Sequence, residues 1–474
     1  MSAKSQRVIP VVAAGAIEPE LYAKREQVYP REVHGVFARW RLLMVALTLG
    51  IYYGLPWINW GEGRQAFLID LPGRKFNLFF WTFWPQDLFY LTAILIISAL
   101  SLFLFTAVAG RLWCGYTCPQ TVWTEVFLWI ERRIEGDRPR QIRLAASPWN
   151  AERIFKKGAK HFVWMAFAGW TGFTFVGYFT PIHELAAAVP TVAAGPWETF
   201  WILFYSLATY GNAGFLREQV CIYMCPYARF QSVMFDRDTL VISYDGARGE
   251  PRAARRRTED PKARGLGDCI DCTLCVQVCP TGIDIRDGLQ YQCIACGACI
   301  DVCDTVMEKM NYPKGLIRYT TQNELDGAKP RRIVRPRVLV YSAILGMLTV
   351  ALIVAVLLRV PLQLDVIRDR NSLYRETPEG LIENVYTLKI LNMDARAHRF
   401  TLRAEGIEDL RLVRDGASIA AGAGEVIEVP VRLQAEEDEL EHRSSRVQFI
   451  LQSEDDSRLR VREQARFLGP ERER

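Results

Sequence analysis

The chain has 474 residues, of which 50% are apolar, and a formal net charge of +5 at neutral pH. This composition excludes a disordered chain, and the length allows two or three domains. The small positive excess follows from the uneven distribution of Lys and Arg described below, so nucleic-acid binding is not expected.

Residues 1–38 are predicted to form a cytoplasmic N-terminal arm. The start of the chain is polar and lacks a short apolar core followed by small residues. We therefore do not expect a cleavable signal peptide.

Apolar residues are concentrated in five runs of about 20 residues, the length that crosses the hydrocarbon core of a bilayer as a helix. Trp and Tyr flank some of these runs, as expected at a membrane surface. Buried helices of a large soluble protein are the alternative, but five such runs with basic flanks favour a membrane protein. The runs are residues 40–60, 88–108, 162–181, 197–215 and 338–358.

Lys and Arg are distributed unevenly over the connections between these runs. Residues 131–160 carry nine and residues 237–337 carry seventeen, whereas residues 183–196 carry none and residues 61–86 carry three. The positive-inside rule predicts that the N-terminus, the connection after the second run and the Cys-rich segment after the fourth run are cytoplasmic, and five spans then place the C-terminal tail outside. Basic tracts such as the one at 255–257 are interpreted as contacts to anionic lipid or as solvated charge.

Residues 39–235 are predicted to form a four-helix membrane domain with two matching motifs. WCGYTCPQTVW (113–123) follows the second run and VCIYMCPYARF (220–230) follows the fourth, and both contain Cys, three residues, Cys and Pro. Pro at a first helical position predicts that Cys118 and Cys225 are helix N-caps, where the helix dipole lowers the pKa of a thiol.

Four thiols brought together by two matching units could hold one further centre. Soft thiolates suit Cu(I) and iron-sulfur clusters alike, so copper and a third cluster both stay open. Cysteines packed as small apolar side chains are the alternative. The candidate catalytic and metal-binding residues are Cys114, Cys118, Cys221 and Cys225.

Other side chains near the predicted membrane edges are weaker candidates. A lone His beside a span is more often an interfacial hydrogen-bonding residue than a metal ligand. A Met there more often packs against apolar groups, and carboxylates on the interfacial helix predicted after Pro119 are expected on its solvated face. These residues are His34, His161, His183, Met224, Glu125 and Glu131.

Residues 236–336 are predicted to form a cytoplasmic ferredoxin domain. The stretch CIDCTLCVQVCPTGIDIRDGLQYQCIACGACIDVC (269–303) repeats Cys-x2-Cys-x2-Cys-x3-Cys, the spacing of bacterial proteins with two 4Fe-4S clusters, in which the fourth cysteine of each run serves the other cluster. Gly282 and Gly297 permit the tight turns involved. The predicted ligands are Cys269, Cys272, Cys275 and Cys303 for cluster I, and Cys279, Cys293, Cys296 and Cys299 for cluster II.

Structural zinc and disulfides are the alternatives for these eight cysteines. Zinc takes four ligands, which leaves the third cysteine of each run unexplained. Disulfides are disfavoured in a reducing cytoplasm. Because no nicotinamide or flavin motif is visible, electrons must come from a partner.

Residues 337–361 are predicted to be the fifth span, and residues 362–474 a periplasmic domain. Segments 385–391, 399–405, 425–433 and 446–453 alternate apolar and polar residues, as strands do. Several short strands in about 100 residues predict an immunoglobulin-like sandwich. The predicted fold class is thus a multi-domain membrane protein: a five-span α-helical transmembrane bundle, an inserted α+β dicluster ferredoxin domain and a C-terminal all-β sandwich.

Over nearly its full length the chain resembles the CcoG family, also called FixG or RdxA. Beyond the cysteine motifs, the resemblance is carried by PREVHGVFARWR (30–41), GRQAFLIDLPGRKF (63–76), TFWPQDLFYLT (82–92) and SYDGARGEPR (243–252). Arg248, Glu250 and Arg252 of the last motif are interpreted as an anchor of the ferredoxin domain to the membrane.

The resemblance implies a bacterial inner-membrane protein that reduces Cu(II) to Cu(I) for the assembly of cbb3-type cytochrome oxidase. It implies as partners that oxidase's assembly factors and the copper-transporting ATPase, and as copper or redox residues Cys114, Cys118, Cys221 and Cys225. A cupric reductase supplied by a cytoplasmic electron donor is therefore the first hypothesis. An electron-transfer subunit linked to quinone, and a scaffold for oxidase assembly with structural or sensory clusters, are the alternatives.

Overall fold

The computed structural model describes residues 27–60, 63–79, 81–327, 332–394, 396–414, 416, 418–440 and 442–470. Residues 1–26, most of the predicted N-terminal arm, lie outside the described residues. The helices are α1 Val36–Gly54, α2 Leu88–Ala109, α3 Leu112–Tyr116, α4 Pro119–Glu135, α5 Arg138–Ala146, α6 Ala151–Val176, α7 Ile182–Ala188, α8 Pro196–Thr209, α9 Pro226–Met234, α10 Gly246–Gly249, α11 Leu274–Gln277, α12 Ala298–Met310, α13 Gln322–Leu325 and α14 Pro336–Leu357.

Three helical segments in the described part of the chain are long and apolar enough to cross a membrane. They are Val36–Trp57, Pro85–Ala109 and Pro336–Leu357; the second predicted run lies within one of them, and the first and fifth runs overlap the other two. The third run lies largely on α6, whose first turns carry several charged residues, and the fourth lies on α8, which ends as an α-helix at Thr209 and continues as a π-helical turn. The count of five spans stays a prediction.

The strands form a small extramembrane region, a pair in the ferredoxin domain and a C-terminal sandwich. They are β1 Asn59–Trp60, β2 Arg64–Gln65, β3 Phe67–Asp70, β4 Lys75–Leu78, β5 Trp81–Phe83, β6 Val241–Tyr244, β7 Ile317–Thr320, β8 Leu362–Arg368, β9 Arg375–Glu376, β10 Ile382–Asn392, β11 His398–Glu405, β12 Arg411–Val413, β13 Ile419–Ala421, β14 Val426–Ala435, β15 Ser444–Ser453 and β16 Arg460–Leu468.

The C-terminal sandwich consists of two antiparallel sheets, with strand orders β12-β14-β10-β8 and β13-β11-β15-β16. All four predicted strand segments lie in strands, namely β10, β11, β14 and β15. The inward-facing residues of both sheets, among them Tyr386, Phe400 and Phe449, are fully buried in one core. The period-2 pattern predicted these strands correctly because one face of each sheet is apolar.

The ferredoxin domain and the sandwich lie at opposite ends of the apolar helices. Near the C-terminal end of α2, the Thr239 hydroxyl donates to the Ala107 carbonyl (3.0 Å), which joins the segment entering the ferredoxin domain to that end. Near the N-terminal end of α2, Trp84 packs against Leu391 and Met393 of the sandwich. The helices therefore separate an iron-sulfur end from a β-sandwich end.

Candidate iron-sulfur and cysteine centres

The two cysteine runs form two neighbouring cavities in the ferredoxin domain. One cavity is lined by the four predicted cluster I ligands, Cys269, Cys272, Cys275 and Cys303. The other is lined by the four predicted cluster II ligands, Cys279, Cys293, Cys296 and Cys299, with Cys275 at its edge. The fourth cysteine of each run thus crosses to the other cavity, as the spacing predicts.

Backbone conformation explains how each run curves around its cavity. Asp271 and Thr273 flank Cys272 with φ of 52° and 55°, and Ala295 and Gly297 flank Cys296 with φ of 54° and 75°. Positive φ is costly for most L-residues, and its occurrence at equivalent positions of both runs shows that the two runs share one loop geometry. The prediction that Gly297 permits a tight turn is confirmed.

The cavities fit iron-sulfur clusters better than single metal ions. Within the described residues, no three Cys, His, Asp or Glu side chains converge as the ligands of one ion would. The thiolates around a four-iron cubane lie farther apart than the ligands of a single ion, because iron and sulfide atoms lie between them. Burial raises the pKa of both Cys293 and Cys303 to about 12, and a bound cation would favour the ionised form of these thiols.

The four membrane-edge cysteines are positioned by two matching helix starts. Cys118 is the N-cap of α4 and Cys225 the N-cap of α9, each followed by Pro, as predicted. Cys114 lies in α3 and Cys221 in a π-helical turn. The structure therefore repeats the same local arrangement after the second and fourth predicted runs.

These four thiols lie near one another in a partly buried region. The pKa of Cys221 is raised to about 12, first by burial and then by Cys118, Cys114 and Cys225, so all four are within electrostatic reach. Gln231, which is fully buried, donates to the Cys114 sulfur at 3.5 Å. The expected lowering of the pKa is wrong for Cys118, because burial outweighs the amides of Gln120 and Thr121.

One of the membrane-edge cysteines, Cys114, is in direct contact with the loop that carries cluster II ligands. Cys114 packs with Ile294 and Cys296 in one apolar cluster. A Cβ atom on Gly115 would stand 2.7 Å from the carbonyl oxygen of Ile294, so only glycine allows this approach. Arg111 donates to the carbonyls of Tyr291 and Ala228 and links the same loop to α9.

A network of buried charged side chains lies beside the second cysteine motif. No sequence pattern indicated this network. Glu131 is fully buried and binds Lys160 (3.2 Å) and Arg217 (2.8 Å), while Glu135 binds Lys160 and Lys157. Burial would raise the pKa of Glu131, but Arg217 and Lys160 hold it below its usual value. The prediction of a solvated Glu131 is wrong, because α6 and the turn after α8 cover this face of α4.

The weaker candidates make ordinary structural contacts. The His161 ring bonds the Tyr210 hydroxyl at 3.0 Å, and His183 packs edge-on against Trp57. Met224, between Cys221 and Cys225, is 60% exposed. His34 lines the cavity between the start of α1 and α4.

The SYDGARGEPR segment forms part of the wall of the cluster I cavity. Tyr244 lines that cavity and bonds Glu250 at 3.0 Å, and the Gly249 carbonyl accepts from the Cys269 amide at 3.3 Å. Arg248 binds Asp268 at 2.6 Å. The interpretation of this segment as a membrane anchor is wrong, since these contacts are all within the ferredoxin domain.

Comparison with known proteins agrees with this architecture. A model of the 4Fe-4S dicluster domain matches residues 216–322, a 4Fe-4S binding domain matches 91–136, and the immunoglobulin-like C-terminal fold of FixG matches 352–470. RdxA of Cereibacter sphaeroides is 43% identical over 88% of both chains. FixG of Rhizobium meliloti is 40% identical over 84% of this chain and 82% of its own.

A crystal structure of a FixG-related protein from Vibrio parahaemolyticus is 31% identical and covers 23% of this chain and 95% of its own, with a TM-score of 0.21. The apolar helices, the ferredoxin-type domain and the family matches define a membrane-associated iron-sulfur protein of the electron-transfer class. More particularly, the chain belongs to the FixG/RdxA family.

Proposed function

We propose that this protein takes electrons from a cytoplasmic donor and uses them at the four membrane-edge cysteines to reduce Cu(II) to Cu(I). The observation that carries the proposal is the packing of Cys114 and Gly115 against Ile294 and Cys296. When bound, two 4Fe-4S clusters supply one-electron transfer. The chain's own contribution is to place a sulfur-rich site directly beside the cysteines of the second cavity.

Copper is the substrate in this proposal. Each Cu(II) accepts one electron, and the donor loses one electron per copper ion. Soft thiolates favour the product Cu(I), so a pair among Cys114, Cys118, Cys221 and Cys225 is suited to hold it until transfer. Within the described residues, no three of these thiols converge as the ligands of one ion would. By family resemblance, the acceptors of copper are assembly factors of a cbb3-type oxidase, together with a copper-transporting ATPase.

The proposed topology has five spans, with the N-terminus and the ferredoxin domain in the cytoplasm and the sandwich in the periplasm. The location of the two domains at opposite ends of α2 supports it. The Lys and Arg excess around the ferredoxin end supports this orientation in a bacterial inner membrane.

The test is a reduction assay on the purified, full-length protein under anaerobic conditions. The protein is reduced with dithionite, excess reductant is removed, and Cu(II) is added with a Cu(I)-specific chelator. Replacing the four membrane-edge cysteines by Ser is expected to abolish Cu(I) formation and leave about eight irons bound. Met224→Leu is the matched control and should keep full activity.

A third iron-sulfur cluster at these cysteines, with a quinone-linked function, is the second candidate. The observation in its favour is the match of a 4Fe-4S binding domain to residues 91–136, which include Cys114 and Cys118. It predicts about twelve irons, no copper reduction and a cluster oxidation state that responds to quinone analogues. That combination would replace the copper proposal.

A further inference from the structure

A cavity of about 840 Å³ lies beside the cysteine centres and has no role in the proposal above. One wall is the chain from Pro30 to Val45, which includes the start of α1. A second wall is the face of α4 from Glu125 to Arg133, and Val278 and Pro280 of the ferredoxin domain close it. The cavity is therefore located where the first apolar helix meets the iron-sulfur end.

The polar lining is strongly basic. Five arginines line the cavity against two glutamates, Glu32 and Glu125. Glu125 is shared between Arg132 at 3.2 Å and Arg41 at 3.8 Å. The five are Arg31, Arg39, Arg41, Arg132 and Arg133.

Two of these guanidinium groups carry unused donors. The Nε atoms of Arg41 and Arg132 are buried and make no hydrogen bond within the described structure. These two Nε atoms are enclosed by protein, so the arginines open to a ligand are the exposed ones, Arg31, Arg39 and Arg133. Guanidinium forks match the geometry of phosphate oxygens.

Apart from His34, the remaining lining is apolar and suited to a lipid chain. Leu42 and Val45 lie on α1, the first apolar helix, and Leu42 is 68% exposed. Trp129 of α4 is 50% exposed and lies under Arg133, 5.3 Å from ring centre to guanidinium carbon. An exposed Trp beside an apolar helix is typical of the membrane surface.

We propose that this cavity binds an anionic phospholipid, with the phosphate diester at the arginines and an acyl chain along Leu42 and Val45. Basic clusters next to a membrane helix attract anionic lipids in this way. A lipid bound here would hold α1, α4 and the Cys279 loop together. The proposal does not depend on copper reduction.

The test is native mass spectrometry of the delipidated full-length protein titrated with phosphatidylglycerol, phosphatidylcholine or inorganic phosphate. Phosphatidylglycerol should bind and phosphatidylcholine should not. The exposed pair Arg39→Gln with Arg133→Gln should weaken phosphatidylglycerol binding at least tenfold. Arg460→Gln with Arg462→Gln on β16 makes the same charge change at the opposite end and should have no effect.

Val45→Trp distinguishes binding of a whole lipid from binding of its headgroup alone. The substitution narrows the apolar part of the cavity and leaves the charge of the cavity unchanged. It should also weaken phosphatidylglycerol binding. Equal binding by the Arg39/Arg133 variant would overturn the proposal. Displacement of phosphatidylglycerol by inorganic phosphate, with no effect of Val45→Trp, would overturn it too and assign the site to free phosphate.

Discussion

Gly115 lies against Cys296: a Cβ atom on Gly115 would stand 2.9 Å from the Cα of Cys296. Real Cβ atoms do not come this close to backbone atoms. The membrane-edge motif and the second cavity can therefore approach each other this closely only because residue 115 is glycine. This contact joins the two sets of cysteines physically, and it is the reason to treat them as one functional unit.

Gly115→Ala should therefore separate the two sets of cysteines. Overpacking of this kind costs about 1–3 kcal/mol of stability, and we expect copper reduction to fall while iron content stays at the wild-type value. Stopped-flow reoxidation of the reduced protein by Cu(II) measures the effect. Gly158→Ala on α6, where a Cβ meets nothing within 4 Å, is the matched control. Wild-type kinetics in Gly115→Ala would remove the contact from the proposed path.

Gly249→Ala tests the wall of the cluster I cavity. Its Cβ would clash with the Tyr244 hydroxyl and so displace a residue that lines the cavity. We expect iron content to drop from about eight to about four per chain, with cluster II retained. Iron analysis and electron paramagnetic resonance report this loss. Gly246→Ala in the same short helix meets nothing within 4 Å and should keep all iron; equal iron in both variants would contradict the prediction.

Asp301 joins the ferredoxin domain to the first apolar helix. Its carboxylate accepts from the backbone amides of Phe37 (3.1 Å) and Ala38 (2.8 Å) at the start of α1. Asp301→Ala removes this cap and should lower stability by about 0.5–2 kcal/mol, whereas Asp301→Asn should retain much of it. Thermal loss of cluster absorbance measures the difference. The exposed Asp287→Ala provides the baseline, and an Asp301→Ala melting curve identical to it would show that the cap contributes nothing.

Glu131 tests the buried charge network. Removing one partner of a buried ion pair leaves the other charge uncompensated, so Glu131→Ala should cost about 3–5 kcal/mol. Yield and thermal stability in detergent should fall sharply. Glu152→Ala also deletes a carboxylate bound to a lysine, Lys156, but on an exposed face, and should change little. A stable Glu131→Ala variant would mean that water or lipid replaces the carboxylate.

The sequence by itself determined the parts whose geometry is local. The two-residue gaps between cysteines fix a loop around one cubane, Pro after Cys118 and Cys225 fixes two helix starts, and alternation fixes the four predicted strands. In each case the pattern itself lies within a few positions of the chain, so spacing or periodicity carries the information. The fourth cysteine of each run is the exception, because it lies at the cavity of the other run.

The tertiary structure decided everything that depends on contacts between distant segments. Arg111 donates a hydrogen bond to the carbonyl of Tyr291, 180 residues away in the chain. Glu131, which was predicted to lie on a solvated helix face, is buried by α6 and Arg217. No spacing or periodicity in the sequence marks Gly115 as a contact residue, and its role follows only from its close approach to Ile294. Such contacts arise from the packing of whole elements, whose close approach leaves no periodic or spacing signal in the chain.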